Sequence, residues 1–487
     1  MRRRWDARLL LVLGLLAGLL AGPLGFFTPG ALAREPVMSF GLHLGPDPLA
    51  ASALMPIAGS LGATVAPIEF AWERVQPEPE RFAWDGYDFA VRRARTYGLR
   101  PVGVLSYPET LPWPADGVRQ TVWPAPNRGD WLAFVEQVIH RFAWAITDWI
   151  IVRDEPLDAD PILWASEALS HAAFVQDTAA VIRRVQPAAR VRAAASGLDY
   201  RWLEVFIREG GLTGLAGFVV DVNRWPAPPE GLPVVINDVR SLAGSLGANP
   251  EIWVWRLGYP THTGVSATPP HRHGVTPEEQ ALYLVRAHVW LAQAGVNVVL
   301  YHELMDRGWD GEEAAASFGL VRRDGRLKPA ATAYRILAHA LGGRAYGLPQ
   351  PAVLAGPDEP TVLALGAVLG ALREHVLAAR AGTSVAVHPF AGDRGQGLVV
   401  VMWATAAAPT TGDATRAAGG TVNAPPVVDL PLEAIAFPRG VAMRVKAWDG
   451  AALDHLPLTA APVYVEIVPV PGDGLPPGGQ GLEMLVE

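Results

Sequence analysis

The 487-residue chain contains no cysteine. That excludes a disulfide scaffold, a thiolate metal site and a cysteine nucleophile. Lysine is nearly absent too: Lys328 and Lys446 are the two, and the other Lys/Arg positions are all arginine. With so much alanine, glycine and proline, that bias reads as GC-rich coding and says little about function. Charged residues are 18% of the chain and the net charge is −8, whereas a nucleic-acid binder would present a basic face. Hydrophobic residues reach 50%, enough for a real core and unlike a disordered chain. The length exceeds one ordinary domain and suggests two or three. No Gly-x-Ser-x-Gly elbow occurs, which argues against an esterase.

One long apolar run is present, at the N-terminus. Arg2, Arg3, Arg4 and Arg8 lead into residues 9–20 (LLLVLGLLAGLL), and Ala31-Leu32-Ala33 offers a small-residue cleavage site. The run is short for a bilayer span, and Gly22-Pro23 breaks it. Residues 1–33 are expected to be a bacterial-type signal peptide that exports the protein to the cell surface or beyond. An uncleaved N-terminal anchor is the alternative. Once the signal is removed, no membrane span is expected.

From about residue 37 to 345, short apolar strands alternate with amphipathic helices. Expected strands are residues 39–44, 64–70, 101–106, 146–153, 190–195, 215–223, 251–257 and 297–302. Expected helices include residues 88–97, 130–142, 277–294 and 329–341. The Pro277-Glu278-Glu279 start suits a helix N-terminus. Eight strands alternating with helices is the pattern of a (β/α)8 TIM barrel. A doubly wound open sheet is the runner-up; it normally has a Gly-rich phosphate loop after its first strand, and no fitting helix start is read after Gly41-Leu42-His43-Leu44-Gly45. Past Pro349 the chain turns to short β-rich runs: residues 398–403, 427–430, 441–448 and 463–468. These suggest an all-β sandwich domain. Residues 404–424 read as a loop. The expected organisation is a barrel over residues 34–345, a sandwich over 346–475 and a flexible tail over 476–487.

In a barrel, chemistry sits at the C-terminal strand ends. Those ends carry Glu69, Tyr107, Asp154-Glu155-Pro156, Asn223, Trp225, Arg256, His302, Glu303 and Asp306. A carboxylic acid facing an aromatic mouth can have its pKa raised by desolvation and serve as a general acid, which fits Glu155. Trp113, Trp123, Trp225, Trp255 and Trp309 fall in or near the mouth loops, where flat rings offer apolar stacking faces. His43, His262, His271 and His273 lack converging acidic partners, so no metal and no cofactor is expected.

Residues 62–105 resemble the second-to-third-strand segment of the retaining (β/α)8 glycoside hydrolases, especially the xylosidase/iduronidase-like and cellulase-like families. The marks are Trp72, Val75-Gln76-Pro77, Phe82-Ala83-Trp84, Tyr87-Asp88 and Gly98-Leu99. Residues 149–156 (WIIVRDEP) resemble that clan's acid/base segment, 252–261 (IWVWRLGYPT) its seventh strand, and 318–336 its closing segment. The strand around Pro462-Val463-Tyr464-Val465 resembles the end of the associated β-sandwich. The resemblance implies a carbohydrate ligand, an oligosaccharide, polysaccharide or glycoside, with Glu155 as acid/base.

The resemblance also shows departures. Asp154 stands for the clan's asparagine, Pro67 for a strand-two arginine, and Asn223 on or near a strand-six histidine. Arg256 stands where the nucleophilic glutamate is expected. A guanidinium cannot form a glycosyl ester and stays protonated. Arg256 is expected within ion-pair reach of Glu155, holding it ionised. Glu303 is the best substitute carboxylate, followed by Glu69 and Asp221. Glu155 and Glu303 are thus the catalytic candidates. Asp154, Asn223, Trp225, Trp255, Arg256, Tyr107 and Glu69 are the candidate sugar contacts. Two functions follow: O-glycosyl hydrolysis with a relocated second carboxylate, or a silent barrel that binds glycans or mediates surface contacts. Oligomeric state is not readable from the sequence.

Overall fold

The computed structural model describes residues 37–108, 127–153, 161–194, 199–266, 272–309, 313–347, 383–391, 398–406, 428–431, 441–453, 455–458 and 461–469. Eight parallel strands close into a barrel in chain order. They are β1 (Ser39–Leu42), β2 (Val65–Ala71), β3 (Arg100–Tyr107), β4 (Asp148–Arg153), β5 (Arg190–Ala194), β6 (Gly217–Asp221), β7 (Glu251–Leu257) and β8 (Val298–Tyr301). The helices between and after them are α1 (Pro48–Ser60), α2 (Trp84–Thr96), α3 (Arg128–Phe142), α4 (Pro161–Val185), α5 (Tyr200–Arg208), α6 (Leu232–Ser245), α7 (Pro277–Gln293) and α8 (Pro329–Leu341). Pairing of β1 with β8 completes the ring. All eight expected strands are present, which decides against the open sheet.

The barrel follows from a period of two along the strands. Val65, Val102, Val104, Ile150, Val219, Trp253, Val298 and Leu300 fill the interior. Their alternates, among them Phe40, Ile68, Phe70, Leu105, Trp149, Ile151, Phe218, Val220 and Val254, belong to the larger core under the helices. Such strands are buried on both faces, which is why they read as near-continuous apolar runs. The helices have matching local causes. Asp199 caps α5, which buries Trp202, Leu203, Phe206 and Ile207 on one side. Thr276 and Glu279 form a reciprocal capping box that starts α7.

Close strand packing sets one sharp constraint. A Cβ on Gly217 would lie 2.0 Å from the backbone oxygen of Glu251 on the neighbouring strand. The obstacle is backbone, so it cannot rotate away. Gly217→Ala is expected to cost about 1–3 kcal/mol, the usual range for overpacking, read as a lowered midpoint in urea unfolding. An unchanged midpoint would mean that β6 and β7 separate there at no cost.

The C-terminal region is antiparallel. Six strands form one sheet in the order β14-β13-β16-β11-β10-β9. They are β9 (Ala345–Tyr346), β10 (Thr383–Ala391), β11 (Leu398–Ala406), β13 (Val441–Ala447), β14 (Ala452–Leu453) and β16 (Val463–Pro469). A second sheet pairs β12 (Val428–Pro431) with β15 (His455–Leu458). The fold is therefore a (β/α)8 barrel followed by a β-sandwich region. Strand β11 runs to Ala406, so residues 404–406 of the expected loop are strand, and residues 407–424 lie outside the described residues. The tail at 476–487 and the signal at 1–33 lie outside the described residues. Aromatic packing joins sheet to barrel: Trp290 of α7 meets His388 and Trp403 edge-on, at 4.6 and 5.6 Å between ring centroids. Among the described residues, no helix is long and apolar enough to cross a membrane.

Candidate active site at the barrel mouth

The inward-facing series of each strand ends at one face of the barrel. His43 just past β1, Asp221 on β6, Trp255 and Arg256 on β7, and His302 and Glu303 just past β8 meet there. Both His43 and Arg256 influence their neighbours electrostatically across this mouth. The register of β6 against β7 slips at this point: Val220 faces Val254, but Asp221 faces Arg256. The irregularity leaves Trp255 as an extra residue on β7, as in a bulge, a device that re-aims side chains. Trp255 packs on the barrel interior, while the Arg256 Nη1 comes within 3.7 Å of Asp221 Oδ2.

Asp221 is the most perturbed carboxyl of the mouth. Burial pushes its pKa up to about 6, with the Arg256 guanidinium pulling the other way. Its Oδ1 is buried with no hydrogen-bond partner among the described residues. Glu303 is 3% exposed. Burial raises its pKa and Arg307 opposes the rise. The Arg307 Nε–H donates towards both Glu303 oxygens, at 3.0 and 2.7 Å. That carboxylate is engaged rather than poised to attack.

The two histidines are neutral. The His43 Nε2 lies 2.6 Å from the Trp255 carbonyl oxygen, so this nitrogen carries the proton and donates. Burial drives the His43 pKa down to about 3, partly offset by that hydrogen bond. Burial, with His43, Arg307 and Arg256 adding to it, lowers His302 to about 2. Neither ring is a base that picks up a proton near neutral pH. Below the mouth, Lys328 Nζ donates to Asp306 Oδ1 at 2.8 Å, Thr261 Oγ1 at 3.0 Å and the Ser317 carbonyl at 3.0 Å. This buried knot ties the loops after β7 and β8 together and gives Asp306 a structural task. Among the described residues, no three His, Asp or Glu side chains converge as a metal-ion cluster.

No family model matches the chain, and no curated protein matches it. Solved structures do. A family 39 glycoside hydrolase from the gut symbiont Bacteroides cellulosilyticus WH2 superposes with a TM-score of 0.62 at 15% identity, over 89% of this chain and 81% of that one. A glucosidase from Croceicoccus marinus does so with a TM-score of 0.54 at 13% identity, over 90% of this chain and 96% of that one. The chain shares the (β/α)8 barrel fold of these two proteins. At these identities the likeness is one of fold, and the residues of the mouth must be judged one by one.

Within this (β/α)8 barrel, the expected site residues divide. Arg256 and Glu303 reach the mouth. Trp255 lines the interior below it, and Glu69 is half-buried on β2. Asn223 is exposed, and its Oδ1 accepts from the Gly258 N–H at 3.0 Å, linking the loops after β6 and β7. Trp225 is 5% exposed and lies edge-on to His262 and Phe318. Its ring is packed into the loop, not offered as a stacking face. Tyr107 is a correction. It is fully buried, its hydroxyl donates to Asn127 Oδ1 at 3.0 Å, and it packs on Trp72, Trp131 and Phe174. It belongs to the helix-side core because it is in the outward phase of β3, with Leu105. Asp154 and Glu155 lie outside the described residues, as do Trp113 and Trp123. The acid/base assignment and the expected Arg256–Glu155 pair therefore stand on the sequence alone. Arg307 was not singled out in the sequence. Its signal is the four-residue spacing from Glu303.

Proposed function

We propose that this chain is a carbohydrate-binding protein built on a glycoside-hydrolase barrel, and that it does not use double-displacement hydrolysis. One observation carries the reading. A guanidinium, that of Arg256, occupies the end of β7, where it lies beside Asp221, and Glu303 is held by Arg307. Retention needs a free carboxylate to attack the anomeric carbon. Two of the structural neighbours are a glycoside hydrolase and a glucosidase, which supports a sugar as the ligand class. Neutral imidazoles and half-exposed guanidiniums suit hydroxyl recognition. We also propose export, on the basic and apolar N-terminal segment.

A second reading has its own support. Asp221, raised to about 6, is partly protonated near neutral pH and could pair with Glu155 as the two carboxyls of an inverting hydrolase, a geometry needing roughly 6.5–9.5 Å between them. A panel of aryl β-glycosides, assayed with wild type, Glu155→Gln and Asp221→Asn, separates the two. The binding reading expects no turnover in any of the three and retained oligosaccharide binding by calorimetry. Turnover that is lost in both variants would replace it with inverting hydrolysis.

A further inference from the structure

Beside the mouth, the loops after β7 and β8 form an open pocket of about 160 Å³ whose lining includes Thr261, Asp306, Trp309, Arg322, Arg323 and Arg326. Trp309 is 75% exposed, unusual for so large an apolar ring. The Arg323 guanidinium lies over it, 5.6 Å from the ring centroid. Among the described lining residues, the guanidiniums outnumber the carboxylates. Asp306 is taken by Lys328 and Asp324 by Arg326. Arg323 donates to the backbone oxygen of Arg307, not to a carboxylate. Arg322 is exposed, and its guanidinium has no ion-pair partner among the described residues. Among the described residues, two guanidiniums without a salt-bridge partner, one of them within electrostatic reach of Asp306 and Asp324, thus flank an open tryptophan, in a protein whose net charge is −8.

Arg307 connects this pocket to the mouth. Its side chain holds Glu303, while its carbonyl anchors Arg323. A saccharide chain leaving the mouth past β8 would meet the pocket next. Tryptophan faces stack on sugar rings, and planar guanidiniums bind carboxylate or sulfate oxygens through paired N–H donors.

We propose that this pocket is an outer subsite for an anionic sugar unit, a uronate or a sulfate ester. Trp309 stacks on the ring, and Arg322 and Arg323 read its charge. The inference rests on the carbohydrate-binding reading and narrows it to acidic glycans. The test is a calorimetric titration of the full chain with three ligands that share one backbone: cellotetraose, its uronate counterpart and its O-sulfated counterpart. At least one anionic ligand is expected to bind about tenfold more tightly than cellotetraose, a difference of about 1.4 kcal/mol. The advantage should shrink with added salt. Arg322→Ala, which removes a side chain with no described partner, should erase most of the preference and leave cellotetraose binding unchanged. Arg323→Lys should retain part of it, and Trp309→Ala should weaken all three ligands. Whichever anionic arm binds more tightly names the group that the pocket reads. Equal binding of all three ligands, or a preference that survives in the combined Arg322→Ala and Arg323→Ala variant, would overturn the subsite while leaving carbohydrate binding at the mouth intact. No binding of any ligand by wild type would overturn both.

Discussion

Arg192→Met is expected to destabilise the barrel by about 3–5 kcal/mol, the cost of breaking a buried ion pair by removing one partner. Arg192 is fully buried at the N-terminal floor of the barrel. Its Nη1 donates to Asp148 Oδ1 at 2.7 Å and its Nη2 to Glu251 Oε2 at 2.5 Å. The guanidinium lies 3.5 Å from the centroid of the Trp253 ring, so it closes the floor as a packed plate as well as a charge. Arg100 contacts the other Asp148 oxygen at 2.5 Å, and Arg190 holds Glu251 from outside. Those two cations remain in the variant, which argues for the lower end of the range. Methionine keeps the stem, so the loss reports on the charge network.

The same network sets a pH dependence. Burial works to raise the Glu251 pKa, but hydrogen bonds from Arg190 and Arg192 outweigh it, and the net shift is downward from 4.5. A carboxyl lowered in the folded state contributes stability above its unfolded pKa and loses it as pH falls through the folded one. The wild type should therefore lose stability progressively below about pH 4.5. In Arg192→Met that acid slope should be shallower. Urea midpoints for both proteins at pH 7, 5 and 4 measure each effect. A loss below about 1 kcal/mol at pH 7, within the spread of ordinary substitutions, would mean that the floor is held by packing alone.

None of this network is visible from the sequence. Arg100, Asp148, Arg190, Arg192 and Glu251 stand far apart along the chain, and each reads as an ordinary surface charge until barrel closure brings the strand starts together. The strands themselves are legible, because burial on both faces leaves apolar runs bounded by turns. Their ends are not. Residue 146 looks like strand, but its N–H bonds the Phe142 carbonyl and it closes the turn that follows α3. Tyr107 could have been read correctly. Val102 and Val104 face inward, so strict alternation sends Ser106 into the barrel and Tyr107 away from it. Arg256 could not have been read that way. Alternation from Trp253 and Trp255 would turn it outward, and only the slip in register against β6 brings it to Asp221. In the C-terminal region, β10 escaped notice because Pro389 interrupts its apolar pattern, and a strand proline ordinarily argues against a strand.

Arg256→Gln is expected to raise the Asp221 pKa above its wild-type value of about 6, and to make the cost of the change depend on pH. Two effects oppose each other at Asp221: burial, the larger, and the Arg256 guanidinium. Glutamine keeps the length and polarity but removes the charge, so burial acts unopposed. A carboxyl whose folded pKa is raised contributes stability below its unfolded value near 3.8, and that contribution is lost as pH rises through the folded value. At pH 5 Asp221 is largely protonated in both proteins, and the variant should nearly match wild type. At pH 8 the carboxylate is ionised in wild type beside its guanidinium, whereas in the variant its ionisation is uncompensated. The Tm gap should widen between pH 5 and pH 8 by about 1–2 °C for each kcal/mol of lost pairing. A carbon-detected carboxyl titration reads the Asp221 midpoint directly. Arg256→Glu sharpens the comparison: two carboxyls on adjacent strand ends share a proton and titrate as a pair, one of them far above the usual range. A Tm gap that does not vary with pH, with an unmoved Asp221 midpoint, would show that the 3.7 Å contact carries no electrostatic coupling. Arg256 would then be free to serve the ligand alone.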